Sequence, residues 1–363
     1  FIKVLKTMEL LEAVKNNNLE DVKLLLEQEA DINAKDNDNR TVLMYACKNG
    51  NLEIVKLLVE QGADINAKND DNETVLMYAL MSRNLKIVKL LIERGADINA
   101  RSDDNVIILM YALMSRNLEI VKLLIEKGAD INAKDNDNKT SLMYACERGN
   151  LETVKLLIER GADINAKDND NKISLMYACE NYGNLEIVKL LIEKGADINA
   201  KDNDNKTSLM YACERGDLET VKLLIERGAD INAKDNDNKT SLMYACKKGH
   251  LEIVKLLIER GADINAKDND NRTALIHASR SWDNLEIVKL LIERGAYINA
   301  KSDDNKTSLM YASERGNLEI VKLLIENGAY INAKSDDNKT ALNYALEKDY
   351  LEAAELLKLN GAE

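Results

Sequence analysis

Apolar and polar positions follow two rhythms along this chain. In Leu142-Met143-Tyr144-Ala145-Cys146 apolar residues run together, enough for a helix of about two turns. From Leu151 to Ile158 they recur at helical spacing. Leu151, Val154, Leu156, Leu157 and Ile158 are apolar, while Glu152, Lys155 and Glu159 share a solvent stripe. The stretch from Ile164 to Asn171 has no helical period and is rich in Asp, Asn and Lys, as exposed turns are. The pattern predicts two short helices joined by a turn. Thr140 is placed to cap the first helix and Gly149 to end it; Asn150 caps the second and Gly161 ends it.

The whole phrase then returns. The 33-residue stretch Asp135–Lys167 has counterparts that divide the chain into segments 36–68, 69–101, 102–134, 135–167, 168–201, 202–234, 235–267, 268–301 and 302–334. A partial copy over 1–35, clear only from Leu11 onward, and a shorter one over 335–363 are predicted to cap the two ends. No Gly/Ser-rich linker interrupts the series, so one continuous array of about eleven units is expected. At ~10 Å per stacked helix, such an array makes a curved rod on the order of 100 Å long.

The period and content resemble the ankyrin repeat, 33 residues of β-turn plus two helices. The family's Thr-Pro-Leu-His-x-Ala signature reads here Thr140-Ser141-Leu142-Met143-Tyr144-Ala145, and its Gly-Ala-Asp-apolar-Asn close reads Gly161-Ala162-Asp163-Ile164-Asn165. Two departures stand out. Proline is absent throughout, and Met replaces the signature His in eight copies. At the turn tip, where the family often has Gly, each unit carries Asn, from Asn39 to Asn338; Asn is the next most tolerant of positive φ. The resemblance implies an all-α ankyrin-repeat solenoid of helix–turn–helix units with hairpin-like loops. It also implies a partner held on the concave face formed by turn tips and first helices.

Composition narrows the functions to expect. The apolar fraction of 45% suffices for a core despite 31% charged residues. A net charge of -13 opposes nucleic-acid backbones and anionic membrane surfaces, so neither is expected as a partner. No apolar run approaches the ~20 residues of a membrane span, and no signal peptide is visible. The sequence opens on Phe1 rather than Met, so a targeting segment would lie outside it. Five cysteines, Cys47, Cys146, Cys179, Cys213 and Cys246, share one repeat position on the inner side of the first helix. Neighbouring copies would lie ~10 Å apart, beyond the ~7 Å reach of a disulfide. They read as core residues in a reducing compartment, with the cytoplasm as the expected location.

No catalytic constellation emerges, and neither cofactor nor metal is expected. His250 and His277 lack a repeated partner at metal or triad spacing. Asp135-Asn136-Asp137-Asn138-Lys139-Thr140 faintly resembles a calcium loop but lacks the Gly at its sixth position and the Glu at its twelfth. The repeated tyrosines, Tyr45 to Tyr344, and methionines, Met44 to Met310, read as core rather than as a stacking ladder.

Function is therefore sought where repeats diverge. Two adjacent units read Leu80-Met81-Ser82-Arg83 and Leu113-Met114-Ser115-Arg116, with Arg in place of the helix-ending Gly. The second also begins Val106-Ile107-Ile108, predicting an exposed apolar cluster with adaptable methionines. Two other units carry an extra residue, at Glu180-Asn181-Tyr182-Gly183 and Arg280-Ser281-Trp282-Asp283. Trp, Tyr and Arg dominate interface energetics, which makes Tyr182, Arg280 and Trp282 candidates. Tyr297, Tyr330 and Tyr350 add aromatics in the last third. The expected function is a non-enzymatic protein-interaction scaffold, a monomeric rod with self-association left open. Alternatives are a small ligand or nucleotide in the concave groove, held by Arg83, Arg116, Arg280 and tyrosines, or a regulatory repeat region of a larger protein.

Overall fold

The computed structural model describes residues 2–115, 117–181, 184–281 and 284–363. Among these are 22 helices and no extended strand. They fall into two units, Phe1–Asn169 and Asp170–Glu363.

In the first unit, α1 (Ile2–Lys15) pairs with α2 (Leu19–Glu27), α3 (Val42–Asn49) with α4 (Leu52–Glu60), and α5 (Val75–Met81) with α6 (Leu85–Glu93). α7 (Ile108–Ser115) and α8 (Leu118–Glu126) follow, then α9 (Ser141–Glu147) and α10 (Leu151–Glu159). In the second unit, α11 (Ser174–Cys179) pairs with α12 (Leu185–Glu193), α13 (Ser208–Arg215) with α14 (Leu218–Glu226), and α15 (Ser241–Lys248) with α16 (Leu251–Glu259). α17 (Ala274–Ser279) and α18 (Leu285–Glu293), α19 (Ser308–Arg315) and α20 (Leu318–Glu326), and α21 (Ala341–Glu347) and α22 (Leu351–Leu359) complete it. Within each unit, first helices pack on neighbouring first helices and second helices on second helices.

Local chemistry sets the helix ends. The Thr140 hydroxyl accepts the Met143 N–H at 3.4 Å, and the Asn150 side chain accepts the Thr153 N–H at 3.2 Å. Each satisfies a donor that the first helical turn leaves unpaired. Gly50, Gly216, Gly249 and Gly316 close first helices in the left-handed conformation. Arg83, standing where Gly stands elsewhere, is held at φ +57°. The turn-tip asparagines all adopt positive φ, as their residue type allows.

The core is the repeated one. Leu142, Met143, Ala145 and Cys146 are buried, as are Val154 and Leu157 on the partner helix, while Lys155 meets Glu152 on the outside at 2.8 Å. At the chain start, where the sequence showed only the second half of a repeat, α1 takes the first-helix place. It buries Leu10, Leu11 and Val14 and leaves Met8 exposed. At the other end α22 buries Leu357 and exposes Leu351 and Leu359, so terminal helices carry one finished face only.

Two polar ladders join consecutive repeats. The Asn of each Ala-Asp-Ile-Asn close reaches forward: Asn66 donates to the Gly95 carbonyl at 3.1 Å and accepts the Asp97 N–H at 2.9 Å. Asn199 does the same with Gly228 and Asp230 in the second unit. The turn-tip Asn makes the second ladder, as Asn72 on Asp103 and Asn205 on Asn236. The first ladder satisfies exposed turn backbone and the second ties neighbouring turn side chains together, both without apolar burial. This explains why these asparagines recur as faithfully as the core leucines.

Candidate functional site: the turn and first-helix face

The first position of most repeats is an Asp whose carboxylate organises its own turn. Asp135 accepts the Asp137 and Lys139 N–H groups at 2.9 and 2.8 Å through one oxygen, and the Tyr144 hydroxyl at 2.6 Å through the other. Burial, reinforced by the bonded Asp135 carboxylate, pushes the Tyr144 hydroxyl well above the ordinary tyrosine range. Tyr211 and Tyr244 behave alike against Asp202 and Asp235. The tyrosines are therefore structural donors, buried or half-buried. His277, which replaces Tyr, donates at the same place: its Nε2 lies 2.8 Å from the Asp268 carboxylate, which only accepts. Burial works against the Asp268 charge, but the His277 contact and the Arg272 N–H outweigh it and hold that carboxyl below its usual value. The Tyr–Asp pairing was invisible in sequence because its partners lie nine residues apart across a turn.

The five cysteines are buried and none is in a disulfide. Burial pushes the thiols of Cys47, Cys146, Cys213 and Cys246 far upward, which leaves them neutral and poorly nucleophilic. Among the described residues, no three His, Cys, Asp or Glu side chains gather as a metal-binding set. No described helix is long and apolar enough to cross a membrane.

In the first unit, the divergent repeats expose one methionine each. Met81 is 45% and Met114 41% exposed, whereas the preceding Leu80 and Leu113 are buried. Ser82 and Ser115 turn their hydroxyls back onto the carbonyls of Ala79 and Ala112 at 2.8 and 2.7 Å. Ser115 is buried and so serves the helix end. Val106 is half-buried. Ile107 and Ile108, expected to extend an exposed apolar cluster, are instead buried at 1% and 0%. They occupy the cap and first-turn positions held elsewhere by Thr74 and Val75, which also face inward. Arg83 bears its strained backbone at the end of this stretch; Arg116 lies outside the described residues.

In the second unit, Arg280 is half-buried, its guanidinium 5.1 Å from the centre of the Tyr311 ring. Tyr297 and Tyr330 are exposed and Tyr350 is half-buried. Tyr182 and Trp282 lie outside the described residues. One feature escaped sequence reasoning. Lys239, Lys247, Lys248, Arg272, Arg280 and Arg315 line a groove of about 500 Å³, and among the described residues no carboxylate lines it. The signal was present as Lys247 and Arg280 where the other repeats of the second unit carry Glu, but the net charge of the chain obscured it.

Paired helices stacked through repeated turns define a helical repeat solenoid. The family profile described as ankyrin repeats (3 copies) matches residues 10–102, 99–168, 175–268, 209–302 and 275–363. The chain belongs to the ankyrin repeat family, whose members are generally protein–protein interaction modules and typically not enzymes. A comparison with curated proteins found no match.

Proposed function

We propose that this protein is a non-enzymatic scaffold that takes a protein partner on the concave face of its repeats. The observation carrying this reading is the pair of exposed methionines, Met81 and Met114, on neighbouring first helices whose siblings carry charge at that position. Apolar side chains exposed there cost solubility without adding to the core, so contact with a partner accounts for them. Unbranched, polarizable Met adapts to a partner's shape. Arg83 and Val106 extend the contact surface around those methionines; in the second unit Arg280 stands on the turn and first-helix side of its own repeat, and Tyr182 and Trp282 are proposed as contacts there. A reducing location, the cytoplasm, suits five buried thiols outside any disulfide.

The test is quantitative capture from native lysate on immobilised full chain, compared with Met81→Asp/Met114→Asp. The double variant is expected to lose most of the captured partner while its thermal transition stays within a few degrees of wild type. Equal capture by both chains would refute this assignment of the site.

A further inference from the structure

We infer that the groove spanning α15, α17 and α19 binds a short acidic segment of a protein partner. The inference rests on reading the turn and first-helix face as the binding face, and adds partner chemistry at a place away from Met81 and Met114.

Most repeats of the second unit close one ion pair between the turn and the first helix. The turn Lys reaches the Glu near the end of the first helix: Lys172 to Glu180 at 2.6 Å, Lys206 to Glu214 at 3.1 Å, Lys306 to Glu314 at 3.4 Å and Lys339 to Glu347 at 2.8 Å. In two adjacent repeats the Glu is replaced by a cation. Lys247 then shares its repeat with Lys239, and Arg280 with Arg272. Deprived of that partner, Lys239 turns to Asp237 at 2.6 Å and Arg272 turns to Asp270. The Arg272 Nε is left buried with no hydrogen-bond acceptor.

The outcome is a concentration of positive charge in an acidic chain. Of the groove's six cations, Lys248 lies 3.7 Å from Glu214, and Lys239 and Arg272 keep the aspartates just named. Lys247, Arg280 and Arg315 have no ion pair among the described residues. Like charges so placed repel one another, and a ligand bearing several negative charges removes that repulsion while gaining hydrogen bonds from the guanidinium forks. An adjoining cavity of about 470 Å³ shares Arg272, Arg280 and Arg315 and adds Lys306 and Lys348, so the positive surface continues beyond one pocket.

The neighbouring charges limit what fits. Glu214 stands at one side, and Glu314 and Asp304 line the adjoining cavity. A continuous phosphate backbone would run from cations onto carboxylates in both directions. A short acidic stretch would not. Three first helices at ~10 Å spacing span ~20 Å, about six residues of extended chain at ~3.3 Å each. Charge complementarity and this length point to a peptide segment carrying clustered carboxylates or phosphates.

The experiment titrates full chain into fluorescein-labelled hexaglutamate and follows anisotropy, with hexalysine, ATP and an oligothymidylate of similar length as comparators. Hexaglutamate is expected to bind, more weakly as salt rises, and more tightly than any comparator. Lys247→Glu/Arg280→Glu is expected to weaken it by about tenfold or more. This variant copies sibling repeats and lets Lys239 and Arg272 close the usual pair, so its melting temperature should be unchanged or higher. The neutral Lys247→Gln/Arg280→Gln is expected to show a smaller loss of the same sign. Absence of hexaglutamate binding, a loss below tenfold in the folded Glu variant, or tighter binding of ATP or oligothymidylate overturns the inference. Met81→Asp/Met114→Asp should leave hexaglutamate affinity intact. If only those methionine changes abolish partner capture, the scaffold reading stands and the acidic-segment inference alone falls.

Discussion

The α5–α7 stretch of the first unit and the α15–α17 stretch of the second depart from the same repeated template at the same two positions, in opposite chemical directions. Near their first-helix ends, where most siblings carry Glu first, one region carries Met81-Ser82 and Met114-Ser115, and the other Lys247-Lys248 and Arg280-Ser281. Beneath them the core is unchanged: Leu76, Met77, Leu109 and Met110 are as buried as Leu242, Met243, Leu275 and Ile276. The template therefore separates two jobs. Residues facing neighbouring repeats supply stability, and the first position of the pair can become apolar or basic without disturbing the stack. The Lys–Glu pair lost in α15 and α17 is partly exposed, and such pairs contribute only ~0–1 kcal/mol. Its loss costs little, and so the position is free to diverge.

This separation can be broken most forcefully within a single helix. Leu109→Ala removes a fully buried side chain from α7 and is expected to destabilise the chain by about 2–5 kcal/mol in urea unfolding. Met114→Ala, five residues on, should stay within about 0.5 kcal/mol of wild type. Comparable costs at both positions would mean that the methionines belong to the core after all.

A smaller effect is expected at the backbone. Arg83 holds φ +57°, where Gly sits in template repeats. Arg83→Gly should relieve about 1 kcal/mol of left-handed strain, less the added flexibility of the unfolded chain. A rise in melting temperature together with weaker partner capture would show stability given up for contact. A rise with unaltered capture would leave Arg83 outside the interface.

The smallest effect concerns the Asp-centred turn, kept by the template repeat 202–234 and by Asp235 and Asp268 but replaced by Asn69 and Ser102 in the α5–α7 stretch. Burial, then the bonded Asp202, raises the Tyr211 hydroxyl well above its ordinary range. The folded chain thus keeps a proton that the unfolded chain releases. The stability from this site is complete below about pH 10, the unfolded tyrosine value, and declines as pH climbs toward the folded value. Tyr211→Phe should flatten the alkaline fall of stability in pH-dependent melts and leave its acid limb nearly unchanged. An identical alkaline slope in the variant would remove Tyr211 as a contributor.

Much of the molecule was legible in residue order. Thr140, Asn150 and the turn-tip asparagines sit where their side chains satisfy nearby backbone, and such local chemistry needs only short-range spacing. Burial of Cys146 and Leu157, and exposure of Met81 and Met114, followed from helical periodicity combined with repetition.

What stayed hidden depended on contacts between segments. Whether Val106, Ile107 and Ile108 face solvent could not be read from their hydrophobicity; the cap and first-turn positions turn inward whether they hold Thr, Val or Ile. The Tyr–Asp and His277–Asp268 bonds span a turn, and the forward reach of Asn66 to Gly95 crosses into the next repeat. The basic groove is the clearest case. A net charge of -13 is a sum over the chain, whereas binding depends on charges brought within a Debye length of about 10 Å. Sequence alone determined the repeat, its helices and its inward face, because these arise from local periodicity and capping. Only the tertiary structure decided which substituted side chains meet, since stacking places residues about one repeat apart side by side.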